Sequence, residues 1–190
     1  MGHSQAHKSA SREKILRAAA ERLRQDGIEG LGVAELMKAV GLTHGGFYGH
    51  FANRDALVAE ALALAQEHSR KRSARIAGDG EPSLEKLLES YLSPAHQGAL
   101  ARGCATAALA ADAVRATPQT RAVFTEGLGR QLAAIETLLP ADASPSRAAG
   151  VLAAMVGALI LARASDDPEL SQRFLDEARD LILDAVETAA

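Results

Sequence analysis

Apolar residues recur at helical spacing along most of this chain, and no run alternates between apolar and polar residues as a strand does. In segment 33–40 the apolar positions i, i+3, i+4 and i+7 form one stripe, made of Val33, Leu36, Met37 and Val40. We expect Gly41 to end this helix in the left-handed conformation and Thr43 to cap the next helix. The pattern predicts two short helices joined by a tight turn.

The second of these helices, His44 to Phe51, contains three glycines, each of which costs about 1 kcal/mol relative to alanine in a helix interior. Local propensity alone does not select a helix here. We expect Phe47 and Phe51, at i and i+4, to hold it by facing the core. The opposite face then carries Thr43, His44, Tyr48 and the exposed glycines. Such polar tips can donate hydrogen bonds to phosphates or to base edges in the major groove of DNA.

The string Gly45-Gly46-Phe47-Tyr48-Gly49-His50-Phe51 resembles the G-x-x-Y-x-H/Y-F string of the TetR family of transcriptional regulators. The resemblance is carried by the first fifty-odd residues. It implies an all-α fold: a disordered tail (1–10), a three-helix helix-turn-helix DNA-binding domain (11–53), and a helical bundle for ligand binding and dimerisation (54–190). The DNA-contacting residues are then expected to be Arg12, Lys14, Val33, Thr43, His44, Gly45, Gly46, Tyr48, His50 and Arg54.

One departure from that family concerns the start of the helix at Val33. Family members often have Thr or Ser there, whereas this chain reads Leu31-Gly32-Val33. A phosphate contact at Val33 would therefore have to come from backbone N–H groups. Arg54, at the start of a later helix, stands where a basic residue of the family often contacts a phosphate.

The segment before this motif predicts an amphipathic first helix, with Ile15, Leu16, Ala19 and Leu23 on its apolar face. The other faces carry basic residues, namely Arg12, Lys14, Arg17, Arg22 and Arg24. An ordinary solvated face explains most of these charges. Only Arg12 and Lys14, near the helix start, are predicted to contact phosphates.

Composition and charge agree with a helical protein that binds DNA through a localised surface. The chain has 190 residues, 41 alanines and no tryptophan, which favours helices. The net charge is −3, yet residues 1–80 hold 12 lysines and arginines against 9 acidic residues, and residues 81–190 hold 9 against 15. A single cysteine excludes an intrachain disulfide framework. With no signal sequence at the N-terminus, we expect a cytoplasmic protein.

Further helices are predicted from their starts, where a capping side chain precedes an apolar run or a proline: Ser83, Thr117-Pro118, Ser144-Pro145 and Asp167-Pro168. Asn53 is expected to cap a long helix before them. Gly78 to Pro82 breaks the pattern and separates that helix from the regulatory part. A core-facing stripe follows Thr117, made of Phe124, Leu128, Leu132, Ile135 and Leu139.

The apolar run from Ala148 to Ala162 indicates oligomerisation, because a helix that is apolar all round must be covered on all sides. At fifteen residues it is short for a membrane span, which needs about 20. The family resemblance implies a homodimer that reads a palindromic operator. The predicted interface residues are Leu152, Val156, Leu159, Ile160, Phe174 and Leu181. One unusually central core helix is the alternative.

The trigger for release from DNA is left open between two hypotheses. In one, a small-molecule effector is enclosed by a mainly apolar lining of Tyr91, Leu92, Phe124, Leu128 and Met155, which favours a hydrophobic or aromatic compound. In the other, Cys104 senses an electrophile or oxidant, because a helix start and the nearby Arg102 would stabilise its thiolate. A similar Gly-Cys string occurs in electrophile-responsive repressors of the family. Simple burial of Cys104 is the plainer interpretation.

Two other classes of protein compete with a DNA-binding regulator. An enzyme has little support, since the sequence lacks a P-loop, a G-x-G-x-x-G after a strand, H-E-x-x-H and G-x-S-x-G. His44 and His50 are about 240° apart around a helix and cannot share a metal ion. We therefore expect no catalytic residue, metal or cofactor. A helical adaptor that binds only proteins would leave the string Thr43 to Phe51 unexplained.

Overall fold

The computed structural model describes residues 2–77 and 82–187, which form nine α-helices and two short 3-10 helices. The α-helices are α1 (Gly2–Asp26), α2 (Val33–Ala39), α3 (Arg54–Ala77), α4 (Leu84–Tyr91), α5 (Pro94–Gly98), α6 (Ala105–Ala113), α7 (Pro118–Glu136), α8 (Pro145–Ala164) and α9 (Pro168–Glu187). The 3-10 helices are His44–Gly49 and Leu100–Arg102. These residues contain no strand, and the predicted all-α fold is confirmed.

The first helix begins earlier than the sequence predicts. α1 starts at Gly2, so residues 2–10 are helical and not the disordered tail expected for residues 1–10; Met1 lies outside the described residues. This stretch contains no proline, and Ala6, Lys8 and Ala10 favour helix. The helix therefore continues outward from the buried turn at Ile15, with exposed side chains at positions 5–10.

An N-terminal core gathers α1, α2, the 3-10 helix His44–Gly49 and the first half of α3. The predicted apolar face of α1 is confirmed, since Ile15, Ala19 and Leu23 are fully buried. The core does not end at the predicted boundary at residue 53. It continues through Leu57, Val58 and Leu62 of α3, and α6 and α7 contribute Leu109, Ala113 and Phe124. The segments before and after residue 53 therefore share a continuous packed region.

A second core lies among α4, α7, α8 and α9. The capping predictions are confirmed at Ser83 and Thr117, whose hydroxyls accept hydrogen bonds from the N–H groups of Lys86 and Thr120 at 3.2 and 3.3 Å. Asp167 likewise accepts from the N–H of Glu169 at 2.9 Å. Ser144 occupies the N-cap position of α8 without a side-chain cap. Of the predicted break from Gly78 to Pro82, residues 78–81 lie outside the described residues.

Candidate functional site

The turn between α2 and the next helix has the geometry that the sequence predicts. Gly41 adopts a left-handed conformation with φ +75°. Its N–H donates to the carbonyl of Lys38 at 3.0 Å, and the N–H of Leu42 donates to the carbonyl of Met37 at 2.9 Å. This pair of bonds is the Schellman arrangement that ends a helix. It fixes the direction in which the chain enters the second helical element.

That second element is a 3-10 helix, His44–Gly49, and not the α-helix expected over residues 44–51. Three glycines within six residues oppose a regular α-helix, so tertiary anchoring decides the conformation. Thr43 caps it as predicted, accepting from the N–H of Gly46 at 3.3 Å. The predicted anchors are confirmed: Phe47 and Phe51 are 2% and 3% exposed, and their stacked rings lie 5.7 Å apart.

The opposite face of the 3-10 helix is free and small. Tyr48 is 68% exposed, and Thr43 and His44 are exposed beside it. A Cβ added at Gly45 would meet nothing within 4 Å. Gly46 is half-buried against the Thr43 hydroxyl. We call the exposed set Thr43, His44, Gly45 and Tyr48 the reading face. Its backbone can approach another surface closely, because no large side chain except Tyr48 stands in the way.

The three basic residues predicted to contact phosphates all have partners inside the protein. Arg12 forms an ion pair with Glu60, donates to the carbonyl of His50 at 3.4 Å and lies 4.8 Å from the centre of the Phe51 ring. Its charge therefore holds α1 against α3 and the motif. Sequence patterns could not reveal these contacts, because the partners lie 38 to 48 residues away.

Lys14 and Arg54 are used in the same way. The Lys14 ammonium donates to the carbonyl of Val40 at 2.8 Å, at the C-terminal end of α2. The Arg54 guanidinium donates to the carbonyl of Leu31 at 3.2 Å and also to that of Ile28. Both cations satisfy carbonyl groups that helix ends and turns leave without partners. In this structure both side chains hold the motif in position through these internal hydrogen bonds.

Val33 and His50 stand at the edges of the motif. Val33 is half-buried at the start of α2, and Gly32 at the N-cap gives it no side-chain cap. His50 is half-buried, and its Nδ1 atom is buried without a hydrogen-bond partner among the described residues. Neither side chain belongs to the reading face.

Arg24 has a structural role that the sequence does not predict, because the pattern places it among the charged residues of a solvated helix face. It is only 5% exposed. Its guanidinium donates to the carbonyl of Ala101 at 2.6 Å and to that of Ala65 at 3.2 Å. Burial lowers the pKa of Arg24, with the neighbouring Glu21 acting in the opposite direction. This cation connects α1 to α3 and to the 3-10 helix before Cys104.

Two adjoining cavities open between α3, α4 and α7 in the C-terminal part. Their volumes are about 290 and 790 Å³. Of the predicted effector contacts, Tyr91 lines both cavities, Cys104 lines the smaller one and Met155 lines the larger one. Ser69, Ser73, Leu87 and Gln131 also line both.

Leu92, Phe124 and Leu128 line neither of the two cavities, so this part of the predicted lining is corrected. Leu92 is 2% exposed inside the C-terminal core. Phe124 packs into the N-terminal core, and Leu128 packs against both cores. The sequence predicts the apolar stripe of α7, and the residues of this stripe pack into two different cores. Helical periodicity does not show which core each residue enters.

Cys104 is the N-cap residue of α6, as the sequence predicts, and it is buried. Gln131 Nε2 lies 3.8 Å from its Sγ atom. Arg102 is not the neighbouring cation, because its side chain is 76% exposed and lies 3.9 Å from Glu21. Arg163 fills that place: burial lowers its pKa, and the nearby Cys104 opposes the shift.

His96 contacts the backbone of Cys104 and not its thiol. The backbone N–H of Cys104 donates to His96 Nε2 at 3.0 Å, and His96 Nδ1 lies 2.7 Å from the carbonyl of Tyr91. An imidazole nitrogen that accepts carries no proton, so Nδ1–H must be the donor. Burial lowers the pKa of His96, with the Tyr91 carbonyl opposing the shift and Arg163 adding to it. His96 is therefore a neutral residue that braces the segment before α6.

The predicted dimer residues divide into three groups by exposure. Leu159 and Leu152 are 0% and 8% exposed and belong to the C-terminal core, whereas Ile160 and Leu181 are 39% and 66% exposed. Val156 and Phe174 are half-buried. Leu161 at 49% and Leu170 at 38% are also exposed, and we call the four exposed residues Ile160, Leu161, Leu170 and Leu181 the outward apolar face of α8 and α9, which on α9 adjoins exposed charged residues.

By length and composition alone, Ser146–Ala164 of α8 is long and apolar enough to cross a membrane, with a mean hydropathy of 1.6. Its inner face packs in the C-terminal core against α9 and α7.

Among the described residues no group of three His, Cys, Asp or Glu side chains could hold a metal ion.

Comparison with known proteins finds a family that the N-terminal part resembles. Residues 15–61 match the sequence model of the tetR family of bacterial regulatory proteins. No curated protein matches the chain at a significant level.

Solved structures extend the likeness to the whole fold. A TetR-family transcriptional regulator from Cytophaga hutchinsonii superposes with a TM-score of 0.80 at 19% identity, covering 94% of this chain and 96% of that one. A TetR regulator from Chloroflexus aurantiacus gives 0.79 at 23% identity, with the same coverage. E. coli NemR in its reduced form gives 0.74 at 22% identity, covering 90% and 96%. Residues 15–61 are therefore similar to the tetR family of bacterial regulatory proteins, and the whole chain has the fold of the solved TetR-family transcriptional regulators.

Proposed function

We propose that this protein is a homodimeric, ligand-responsive transcriptional regulator that binds a specific DNA sequence. The observation that carries the proposal is the reading face, whose polar tips and glycine are exposed while Phe47 and Phe51 fasten the same element to the core. Because the aromatic pair is buried, it anchors the element without exposing apolar surface. The opposite side, which carries an exposed tyrosine, is then available to enter a groove of DNA. The match of residues 15–61 to the tetR family supports this assignment.

The expected DNA contacts follow from exposure. Thr43, His44 and Tyr48 supply hydrogen-bond donors to phosphates or base edges, while the glycines supply close backbone approach. Val33 contributes backbone N–H groups at the start of α2. Arg12, Lys14 and Arg54 hold these elements in place through their internal partners, and a phosphate contact would use the N–H donors that those partners leave free.

A two-fold dimer would present two such reading faces to one palindromic operator. The outward apolar face of α8 and α9 supports it, since Ile160, Leu161 and Leu181 would be covered by their copies. Gly150, Ala153 and Gly157 on α8 allow a close approach of helices. Half-sites are then expected about 34 Å apart, one turn of DNA. The proposed repressor role and the proposed cytoplasmic location both rest on the resemblance to the family.

The effector site of this regulator would be the pair of cavities lined by Tyr91. A ligand there would touch α3, which runs from the cavities into the N-terminal core. Modification of Cys104 by an electrophile or oxidant is the second proposed trigger, supported by its place at the start of α6 and in the lining of the smaller cavity. In either case the regulator leaves its operator when this region changes.

The test is fluorescence-anisotropy binding of the purified protein to the DNA directly upstream of its own coding region. A shuffled duplex of equal composition serves as competitor, and size-exclusion chromatography with light scattering reports the dimer. Specific binding that resists the shuffled duplex supports the regulator. Equal competition by both duplexes would shift the assignment to a helical adaptor that uses the apolar face of α8 and α9 to bind proteins.

The Cys104 trigger is tested on the same operator. N-ethylmaleimide should weaken operator binding by the wild-type protein and leave Cys104→Ser unaffected, because the chain has one cysteine. Equal loss of binding in both proteins would exclude Cys104 as the sensor.

A further inference from the structure

The two cavities differ in chemistry although they share part of their walls. The larger one is mainly apolar, with Leu87, Ile135, Leu138, Leu152 and Met155 in its lining. Its volume of about 790 Å³ suits a drug-sized apolar body. The smaller cavity is polar, with serine hydroxyls and two guanidinium groups. An occupant of both would therefore have an apolar part and a polar part.

The charges of the smaller cavity are all positive. Arg72 and Arg75 line it, and no carboxylate does so among the described residues. Arg72 is half-buried, and neither arginine has an ion-pair partner in the part of the chain that the structure describes. In the larger cavity Glu67 is the one acidic lining residue that the structure describes, and it pairs with Arg70 at 2.8 Å and Lys71 at 3.5 Å.

Tyr91 supplies the second, independent sign of a ligand. The residue is 8% exposed and lines both cavities, yet its buried hydroxyl has no hydrogen bond of good geometry within residues 2–77 and 82–187. The Cys104 thiol lies near this hydroxyl, and sulfur is a weak acceptor. Burial first, and then Cys104, raise the pKa of Tyr91 well above its ordinary value, so the hydroxyl keeps its proton and can donate it. A buried donor that meets only a weak acceptor is costly unless a ligand or water satisfies it.

We propose that the effector is an organic carboxylate with an apolar body, whose two oxygens meet the Arg72 guanidinium and the Tyr91 hydroxyl while its chain fills the larger cavity. This inference rests on the proposed function only in taking these cavities as the effector site. It differs from the hydrophobic or aromatic compound expected from the sequence. A neutral ligand would offer the Arg72 guanidinium and the Tyr91 hydroxyl only neutral acceptors, which bind a cation more weakly than a carboxylate does, and a cationic ligand would face two arginines.

Isothermal titration calorimetry of the full-length protein tests the proposal with three probes that share one chain length: decanoate, decanol and decyltrimethylammonium. We expect decanoate to bind at least tenfold more tightly than the other two, because hydrogen bonds to charged groups exceed neutral ones in strength. Arg72→Gln should weaken decanoate about tenfold and leave decanol unchanged. Tyr91→Phe should also weaken decanoate, by a smaller factor.

Arg121→Gln is the matched control, because Arg121 is an exposed arginine of α7 that lines neither cavity. It should bind decanoate like the wild type. Decanol binding as tightly as decanoate, an unaltered decanoate affinity in Arg72→Gln, or no saturable binding of decanoate, hexanoate or tetradecanoate would each overturn the proposal. Operator binding is measured separately by anisotropy without any probe. A protein that binds its operator but not the carboxylates refutes this inference alone, and one that binds carboxylates but no DNA refutes the regulator.

Discussion

The carboxylate of Asp112 accepts a hydrogen bond from the backbone N–H of Ile28 at 2.8 Å. Asp112 lies near the end of α6, and Cys104 in the smaller cavity lies at the start of the same helix. Ile28 belongs to the turn between α1 and α2, and its carbonyl accepts from Arg54. One short helix therefore joins the cavity wall to the turn that positions the helix-turn-helix motif.

Replacing Asp112 with alanine should destabilise the protein by about 1 to 3 kcal/mol, because the part-buried N–H of Ile28 would lose its acceptor. Asp112→Asn should retain most of the stability, since the amide oxygen can accept the same bond. Denaturation in urea measures the effect. Arg115→Ala is the control, because it removes only the exposed 3.3 Å ion pair of Asp112; such pairs contribute little. A loss in Arg115→Ala as large as that in Asp112→Ala would contradict the assigned role.

Gly27 and Gly41 offer a matched pair for separating backbone strain from crowding. Both have a left-handed backbone, with φ +76° and +75°. A Cβ at Gly27 would also lie 2.6 Å from Asp112 Oδ2, whereas one at Gly41 would meet nothing within 4 Å. We expect Gly41→Ala to cost about 1 to 2 kcal/mol from strain alone, and Gly27→Ala to cost more because it also displaces Asp112. Urea midpoints compare the two, and equal losses would show that Asp112 moves aside freely.

The motif was predictable where local patterns decide its geometry. Gly41, the Thr43 cap and the pair Phe47 and Phe51 all follow from spacing and backbone preference, and the structure confirms each. The 3-10 form of residues 44–49 was not predictable, because tertiary anchoring and not helix propensity selects it.

Long-range partners account for the remaining differences. Arg24 reads as a solvated charge until Ala101, 77 residues away, is found beside it. The sequence predicts a phosphate contact for Arg12 and does not show that Glu60 and the Phe51 ring lie next to it. A charged side chain looks the same in the sequence whether it meets solvent, DNA or a distant carbonyl group. The sequence also does not show which apolar residues of α8 are exposed, since the periodicity of a helix that is apolar all round does not distinguish its buried face from its outward face.

Tyr48→Ala should lower operator affinity at least tenfold with only a small loss of stability, because Tyr48 is 68% exposed and its ring meets the core in an edge contact with Phe47, 5.3 Å between ring centres. Phe47→Ala should behave in the opposite sense and lower stability by about 3 to 5 kcal/mol, since Phe47 is 2% exposed. Anisotropy and thermal unfolding are measured on both proteins. Normal operator affinity in Tyr48→Ala would remove this residue from the proposed DNA contacts.

His96 should make stability depend on pH in acid. Its pKa is lowered in the folded protein, chiefly by burial, so the unfolded chain takes up a proton first as the pH falls. The contribution of neutral His96 to the free energy of unfolding is fully present above the pKa of histidine in the unfolded chain, about 6.5. It is lost as the pH falls from there toward the lower pKa of the folded protein. Urea unfolding from pH 7.5 to 5 should therefore show a weaker pH dependence in His96→Asn. His68, whose pKa burial also lowers, is present in both proteins and cancels in the difference. Parallel curves for the two proteins would refute the role of His96.

A charge in the outward face of α8 and α9 should separate the proposed dimer. Leu181 is 66% exposed and lies beside a second apolar helix that also faces outward. In Leu181→Glu two carboxylates would be buried in a two-fold interface, and each buried charge without a partner costs several kcal/mol. We expect the dimer dissociation constant to rise at least a hundredfold, as measured by light scattering over a dilution series. Val114→Glu is the control, because Val114 is 71% exposed at the end of α6 and follows Ala113, which packs in the N-terminal core. Monomers of Leu181→Glu should still unfold cooperatively, since the side chain packs in neither core. If Leu181→Glu remains a dimer while Ile160→Glu dissociates, the interface is centred on α8; if both remain dimers, the copies do not pair through this face.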